Sequence, residues 1–335
     1  MIFKRKNAAP SADKPLWVRV ATYAGSVLLV FMLVLSMYWS RTPDVFWVSE
    51  KVDDERTVIG YATTDTLIRV AETMLDKPGG YLSNDVMPPS VFLDNIPNWE
   101  VGVLQQVRDI ARVMRNDYSR SQSQSSEDPD LADAEPRFFI EHTKWMFPRA
   151  ETEYRTAING FASYRDRLSG IGESEAQFFA RADNLSEWLS QVEKRLGSVT
   201  RRLGNSVATS VVNTDLAGDR SASTNTDQRD IVDAKTSWFE IDDVFFEARG
   251  TSWALVHFFR AAQFDFADVL ADKNAEASVR QIIKELEASL TPVRSPMIMN
   301  GGGFGLFANH SLVMANYMAR ANAAVINLRE LLDQG

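Results

Sequence analysis

A run of twenty residues without a charged side chain, residues 20–39, constrains this chain more than any other feature of its sequence. About twenty apolar residues in a helix are long enough to cross the roughly 30 Å hydrocarbon core of a bilayer. Trp17 stands just before the run and Tyr38 and Trp39 end it, at the positions where aromatic rings prefer the membrane interface. The sequence therefore predicts one transmembrane helix near the N-terminus.

Charge is distributed unequally on the two sides of this run. Residues 1–39 contain five lysines or arginines and one aspartate, so they carry +4, which leaves −13 of the net charge of −9 for the rest of the chain. By the positive-inside rule, we expect residues 1–19 to be a cytoplasmic basic tail, residues 20–39 a signal anchor and residues 40–335 a periplasmic domain. A cleaved signal peptide shares this polarity, but its apolar region is usually only about 7–15 residues and ends in small side chains.

Composition excludes several classes of function. The acidic body lacks the excess of lysine and arginine that attracts a phosphate backbone, so no nucleic-acid partner is expected. The chain contains no cysteine. Disulfides, thiol catalysis and thiolate metal sites are therefore impossible.

Apolar residues recur at helical spacing through most of residues 52–332, and sustained alternation at period two is absent from the sequence. The pattern predicts an all-α fold, in which one transmembrane helix precedes an extracytoplasmic multi-helix bundle. Two polar stretches, residues 119–135 and 205–234, are predicted to be linkers. One long helix is expected to end near Lys273, with Gly250 as a candidate position for a kink or break.

One helix carries a heptad pattern over about three and a half repeats, with apolar residues alternating at spacings of four and three. Such a seam needs a partner helix, either an antiparallel neighbour in the same chain or a second copy, and is the predicted interaction surface. Its members are Phe178, Ala182, Leu185, Leu189, Val192, Leu196, Val199 and Leu203.

The loop over residues 77–100 has the composition closest to that of an enzyme site. Asp85, Asp94 and Glu100 lie among aromatic residues and prolines there. Cleavage of cell-wall glycan commonly needs two carboxylates roughly 5–9.5 Å apart, with aromatic walls for the sugar. These three carboxylates are therefore the candidate catalytic residues, although ordered loops of this kind more often serve packing or partner contact.

Metal binding has weak support in the sequence. Asp265, Asp268 and Asp272 follow each other at spacings of three and four, so on one helix they would share a face and could hold a hard cation. A solvated acidic stripe is the more ordinary interpretation. We expect no resident metal.

A glycine-rich segment precedes the last predicted helix, and residues 303–308 match the dinucleotide fingerprint G-x-G-x-x-G/A. That fingerprint works after a strand, within a βαβ unit that the sequence does not offer here. Nucleotides are also not normally available in the predicted compartment. We therefore expect no nucleotide and no other cofactor, and we interpret the glycines as permitting a tight turn or a close approach.

Long segments of the sequence carry a family resemblance. They are GYLSNDVMPPSVFLDNIPNWEVGVL, TSWALVHFF, RQIIKELEASL and NGGGFGLFANHSLVMANYMARANAAVINLRELL. The chain resembles an uncharacterised bacterial inner-membrane family, domain of unknown function 2333, over nearly its whole length. The resemblance implies a bacterial inner-membrane location and implies no activity, cofactor or catalytic residue.

These features favour a single-pass inner-membrane protein whose periplasmic domain contacts an envelope protein or self-associates, without catalytic activity. The alternative is a peptidoglycan-active enzyme or glycan-binding module that uses the loop over residues 77–100. A third hypothesis is an apolar ligand held among the helices, since the chain contains 19 phenylalanines and 8 tryptophans.

Overall fold

The computed structural model describes residues 15–48, 58–122, 125–171, 175–206, 209–212, 231–234, 236–237, 240–295, 297–301 and 306–334. Helices make up most of this part of the chain, and the predicted helical bundle behind an apolar N-terminal helix is confirmed. The α-helices are α1 (Leu16–Trp39), α2 (Tyr61–Asp76), α3 (Asn95–Val113), α4 (Pro129–Phe138), α5 (Ala150–Leu168), α6 (Ala182–Gly204), α7 (Ile241–Asp265), α8 (Ala267–Asp272), α9 (Glu276–Ser289) and α10 (His310–Asp333).

Helix α1 is the membrane-span candidate. It has 24 residues, and its most apolar window has a mean hydropathy of 2.1 with no buried residue. At about 1.5 Å per residue, a helix of this length is long enough to cross a bilayer. By length and composition alone, an N-terminal signal sequence meets the same test.

Helix α7 forms the centre of the bundle and is buried around most of its circumference. It crosses α3 at Gly250, where an added Cβ atom would lie 2.0 Å from the carbonyl oxygen of Trp99. The helix continues through Gly250 to Asp265, so the expected kink or break is wrong. The glycine instead allows two helix backbones to touch.

The heptad seam packs inside the chain. Helix α6 runs antiparallel to α10, because Ser186 donates to Asp333 near one end and Arg329 pairs with Glu193 further along. Six of the eight seam residues are buried, namely Leu185, Leu189, Val192, Leu196, Val199 and Leu203. Phe178 precedes α6 and packs against the rings of Tyr118 and Phe266, outside the helix in which the seam was expected to begin.

The two predicted linkers contain more structure than their polarity indicates. Helix α4 begins at Pro129, is capped by Asp128 and buries Leu131, so the predicted extent of the first linker is wrong at its C-terminal end. Within the second linker, strand β1 (Thr209–Val212) pairs antiparallel with strand β2 (Ile231–Ala234). This hairpin is the exception to the helical fold among the described residues. Helix α4 was missed because a mostly polar sequence can still form a helix that buries one apolar face.

Candidate functional site

The chain that follows α1 is docked on the bundle. Residues 40–48, here called the strap, form neither helix nor strand and contact α7. The Trp253 indole donates a hydrogen bond to the carbonyl of Asp44 (3.1 Å), and Val48 is buried against Ala62 and Ala261. The strap therefore joins the end of α1 directly to the core helix.

Phe46 is the best-anchored residue of the strap. Its amide donates to Nε2 of His257 (3.0 Å), and its ring stacks on the imidazole with centroids 3.8 Å apart. The guanidinium carbon of Arg69 lies over the same ring, 4.2 Å from its centroid, and Arg260 donates to the Phe46 carbonyl (3.3 Å). Cation–π contact and backbone hydrogen bonds thus hold one residue from several directions.

His257 is neutral in this arrangement. Its Nδ1 donates to the carbonyl of Trp253 (2.6 Å), which leaves Nε2 to accept from the strap. The pKa of His257 is lowered to about 3, mainly by burial and to a smaller extent by the positive charges of Arg260 and Arg69. A protonated ring would lose the acceptor that the Phe46 amide needs.

Acid is therefore expected to weaken the strap. Unfolded histidine titrates at about 6.5 and the folded residue at about 3, so the unfolded state binds more protons between these values. The contribution of His257 to stability is complete above pH 6.5 and decreases progressively as the pH falls toward 3. Between pH 7 and pH 5 the contribution of His257 should fall by about 2 kcal/mol, whereas Asp265, whose pKa burial raises to about 6, contributes in the opposite direction.

The measurement is urea unfolding of the full chain in detergent at pH 7, 6 and 5. His257→Gln should remove this contribution, because glutamine keeps an acceptor and does not titrate, so the variant should gain about 2 kcal/mol relative to the unmodified chain between pH 7 and pH 5. His142→Gln, at a partly exposed histidine, is the control and should keep most of the pH dependence of the unmodified chain. Equal slopes for the His257→Gln variant and the unmodified chain would contradict this role of the imidazole.

A cleft of about 490 Å³ opens between the strap and the bundle. Trp99 and Trp253 stack obliquely at its wall, with centroids 5.2 Å apart. Arg249 also lines it, donates to the carbonyls of Leu290 (2.9 Å) and Thr291 (3.0 Å), and has its pKa lowered by burial. A cleft wall with apolar rings beside a guanidinium suits a ligand that carries both an apolar group and an anionic group.

The cleft does not have the residues of a glycosidase. Its described lining contains one carboxylate, Asp44, whereas glycan hydrolysis uses a pair. Across the described residues, no group of three or more histidine, aspartate or glutamate side chains is placed to hold a metal ion.

The three candidate catalytic carboxylates occupy different environments. Glu100 is fully buried, pairs with Lys77, and accepts from the amides of Leu82 and Ser83, both at 2.8 Å. Burial raises its pKa and the Lys77 ammonium opposes that shift. Asp94 caps α3, and Asp85 and Asp94 are both exposed. Glu100 therefore orders the loop from within, while the two aspartates face solvent.

The three candidate metal ligands are also separated in role. Asp265 is buried at the end of α7 and accepts from the amides of Gly60 (2.8 Å) and Thr63 (2.6 Å), which begin α2. Burial raises its pKa to about 6, against these hydrogen bonds. Asp268 and Asp272 are exposed on α8. Asp265 thus stabilises a helix N-terminus instead of joining the other two.

Residues on either side of the glycine segment pair with each other ahead of α10. The amide of Gly301 donates to the carbonyl of Ala308 (3.0 Å), and His310 and Met299 exchange hydrogen bonds. An added Cβ at Gly301 would lie 2.2 Å from the Phe307 carbonyl oxygen, so a close approach requires this glycine. Residues 302–305 of the fingerprint lie outside the described residues.

Sequence reasoning missed the strap and its receptor residues, Trp253 and His257. The only signal was the density of large side chains in TSWALVHFF, which indicates a helix buried on all sides. A single histidine in such a helix is usually structural, and this one forms hydrogen bonds through both ring nitrogens.

Fold and strap together define a helical protein with one N-terminal helix apolar enough to span a membrane and a body docked directly behind that helix. Residues 11–335 match the family described as uncharacterized proteins conserved in bacteria, domain of unknown function 2333, and the chain belongs to it. Searches among curated proteins and among solved structures find no match.

Proposed function

We propose that this protein is a single-pass protein of the bacterial inner membrane, with its N-terminus in the cytoplasm. Its helical domain lies in the periplasm and serves as a platform for binding an envelope protein. The charge asymmetry around α1 supports the orientation. The membership of a bacterial family is consistent with the location.

The strap is the observation that carries the proposal. A domain that only needs a tether can follow its membrane helix on a flexible linker. Here the residues directly after α1 are bound to α7 through Trp253 and His257, so the domain has a fixed height above the bilayer. A fixed height and orientation serve a protein that must present a surface to a partner in the same membrane.

The roles of the buried ionisable groups also support a non-catalytic platform. Glu100 orders a loop, Asp265 begins a helix, and His257 holds the strap. The hydrogen-bonding atoms of all three side chains are occupied by contacts within the fold, whereas a catalytic group must be able to reach its substrate.

The test is photocrosslinking in intact cells, with the photoreactive residue at exposed or half-exposed positions of the bundle such as Ser198 and Asp272. Purification through a tag and mass spectrometry would identify what is attached. We expect one envelope protein at near-stoichiometric yield. Recovery of the chain alone or of lipid alone would contradict a protein-binding function.

A matched variant tests the fixed height. Ten glycine and serine residues inserted between Ser40 and Arg41 leave the strap contacts of Asp44 and Phe46 in place and make the connection between α1 and the strap flexible. Such a segment adds a mean span of about 17 Å. The crosslinked yield should fall several-fold in this variant, and an unchanged yield would show that the height of the domain above the membrane does not matter.

A separate measurement addresses the glycan-binding alternative. Pelleting of the protein with purified cell wall would support that alternative.

A further inference from the structure

Large apolar side chains that are exposed outside α1 and the strap concentrate on three loops. The first joins α2 to α3, the second joins α4 to α5, and the third joins α9 to α10. Phe147 is 91% exposed, Phe92 78% and Leu306 fully exposed. We call this set the apolar rim; it comprises Val86, Met87, Val91, Phe92, Trp145, Met146, Phe147, Met297, Leu306 and Phe307.

The three loops belong to one end of the bundle. Asn84 donates to the carbonyl of Lys144 (3.0 Å) and Tyr81 to that of His142 (3.1 Å), which joins the first loop to the second. Asn95 and Met297 line a common cleft of about 400 Å³, which brings the base of the third loop beside the first.

The same end receives the membrane helix. Trp39, the last residue of α1, lies over Gly79, where an added Cβ would be 2.8 Å from the indole ring. Gly79 lies within the first rim loop, which begins directly after α2 ends at Asp76. The cleft between strap and bundle also has Val293, at the base of the third loop, in its wall. The first and third rim loops therefore lie beside the point at which α1 meets the bundle, and the second loop is joined to the first.

The rim is held outward by polar contacts inside the loops. Glu100 fixes the amides of Leu82 and Ser83, and Asn84 also donates to Glu151 (2.8 Å). In the third loop the Asn309 side chain donates a hydrogen bond to the carbonyl of Gly301 (2.7 Å). Monomeric proteins rarely expose large apolar patches to water, so the apolar side chains grouped on these loops indicate a surface that something other than water covers.

We propose that the apolar rim inserts into the lipid interface around α1, so that the bundle rests on the outer face of the membrane that α1 crosses. This inference depends on the proposed single-pass arrangement. Continuity with α1 selects lipid over protein, because residues around the exit of a span lie at headgroup height. Trp145 prefers that depth, and phenylalanine is common on the apolar faces of interfacial segments. Lys144 and Arg149 lie on either side of the rim residues of the second loop, as interfacial anchors do.

Insertion is driven by apolar area and not by charge. The body carries −13, which does not favour approach to anionic lipids. Interfacial binding of apolar side chains grows with the apolar area removed from water, which salt screening leaves intact. Contact of the rim with lipid should therefore be the same at low salt and at 0.5 M NaCl.

The absence of cysteine allows a direct test, because each single-cysteine variant carries one thiol. Phe147→Cys and Phe307→Cys place a fluorescent label on the rim. Asp272→Cys places it on α8, next to the end of α7 that lies away from the strap cleft, and is the matched control. The full-length variants, in lipid nanodiscs, are exposed to lipids carrying a nitroxide quencher near the headgroup. We expect labels on the rim to be quenched at least threefold more than the label at position 272.

A fourth variant separates this inference from the proposed anchor. Leu28→Cys labels the middle of α1 and should be quenched by a nitroxide placed deep in the acyl chains. Loss of that deep quenching would show that the anchor itself is wrong. Deep quenching at position 28, with rim labels quenched no more than the label at position 272, would overturn the docking of the rim and leave that surface to a protein.

Discussion

Replacing Gly102 or Gly250 by alanine is expected to destabilise the protein by about 3 kcal/mol or more in each case, at the upper end of overpacking effects. An added Cβ at Gly102 would lie 2.1 Å from the carbonyl oxygen of Glu247, and one at Gly250 would lie 2.0 Å from that of Trp99. Both obstacles are helix backbone, so no side chain can rotate away. Helices α3 and α7 would have to separate along their whole contact.

The separation would also affect the membrane-proximal end. Helix α3 carries Glu100, which orders the first rim loop, and α7 carries Trp253 and His257, which hold the strap. Loss of the close crossing should therefore weaken the strap and the loop together. Unfolding by urea, followed by circular dichroism on the full chain in detergent, measures the effect.

Gly197→Ala is the matched control for this prediction. Gly197 also lies within a helix, α6, but the nearest atom to an added Cβ is a side-chain nitrogen of Asn322 at 3.8 Å. There the higher helix propensity of alanine should stabilise by about 0.5–1 kcal/mol. The double variant Gly102→Ala/Gly250→Ala should cost less than the sum, because one displacement relieves both clashes. A similar stability for Gly102→Ala and Gly197→Ala would contradict the close crossing.

Features encoded by local pattern were predictable. The apolar run of α1 and the seam of α6 each depend on periodicity within one segment, and the structure contains both helices. The helix that faces the seam could not be identified in this way. Any apolar helix satisfies a heptad, and only the assembled fold pairs α6 with α10 through Arg329 and Glu193.

Features that depend on contacts distant in sequence were not predictable. The strap lies about 210 residues from its receptor on α7, so no window of sequence contains both. In the sequence, Glu100 and Asp265 cannot be distinguished from carboxylates exposed to solvent, because only the fold buries them. Gly250 had a visible signal, since an isolated glycine in a helical pattern indicates either weakness or close packing. Sequence alone could not decide between the two.

The buried pair of Lys77 and Glu100 gives the second large expected effect. Lys77→Met should destabilise the protein by about 3–5 kcal/mol near neutral pH, because it leaves a fully buried carboxylate without its countercharge. The three hydrogen bonds from Leu82 and Ser83 would remain and would not replace the ammonium. Burial already raises the pKa of Glu100, and removal of Lys77 raises it further.

The sign of the pH dependence follows from this shift. With its pKa raised above the unfolded value, Glu100 holds a proton in the folded state over a range in which the unfolded state has lost it. The Lys77→Met variant is therefore relatively more stable in acid and loses that stability as the pH rises. Its deficit against the unmodified chain should be smaller at pH 5 than at pH 8, as measured by urea unfolding.

Two further variants make this prediction specific. Lys77→Met/Glu100→Gln removes both charges and should recover much of the loss, since replacing both partners of a buried pair is far less costly than breaking it. Arg155→Gln removes an ion pair with Asp76 at the end of the same helix, α2, where both side chains are more than half exposed. That change should stay within about 0.5 kcal/mol. A deficit of Lys77→Met that is independent of pH and unchanged in the double variant would show that packing of the lysine stem, not its charge, orders the loop that carries the rim.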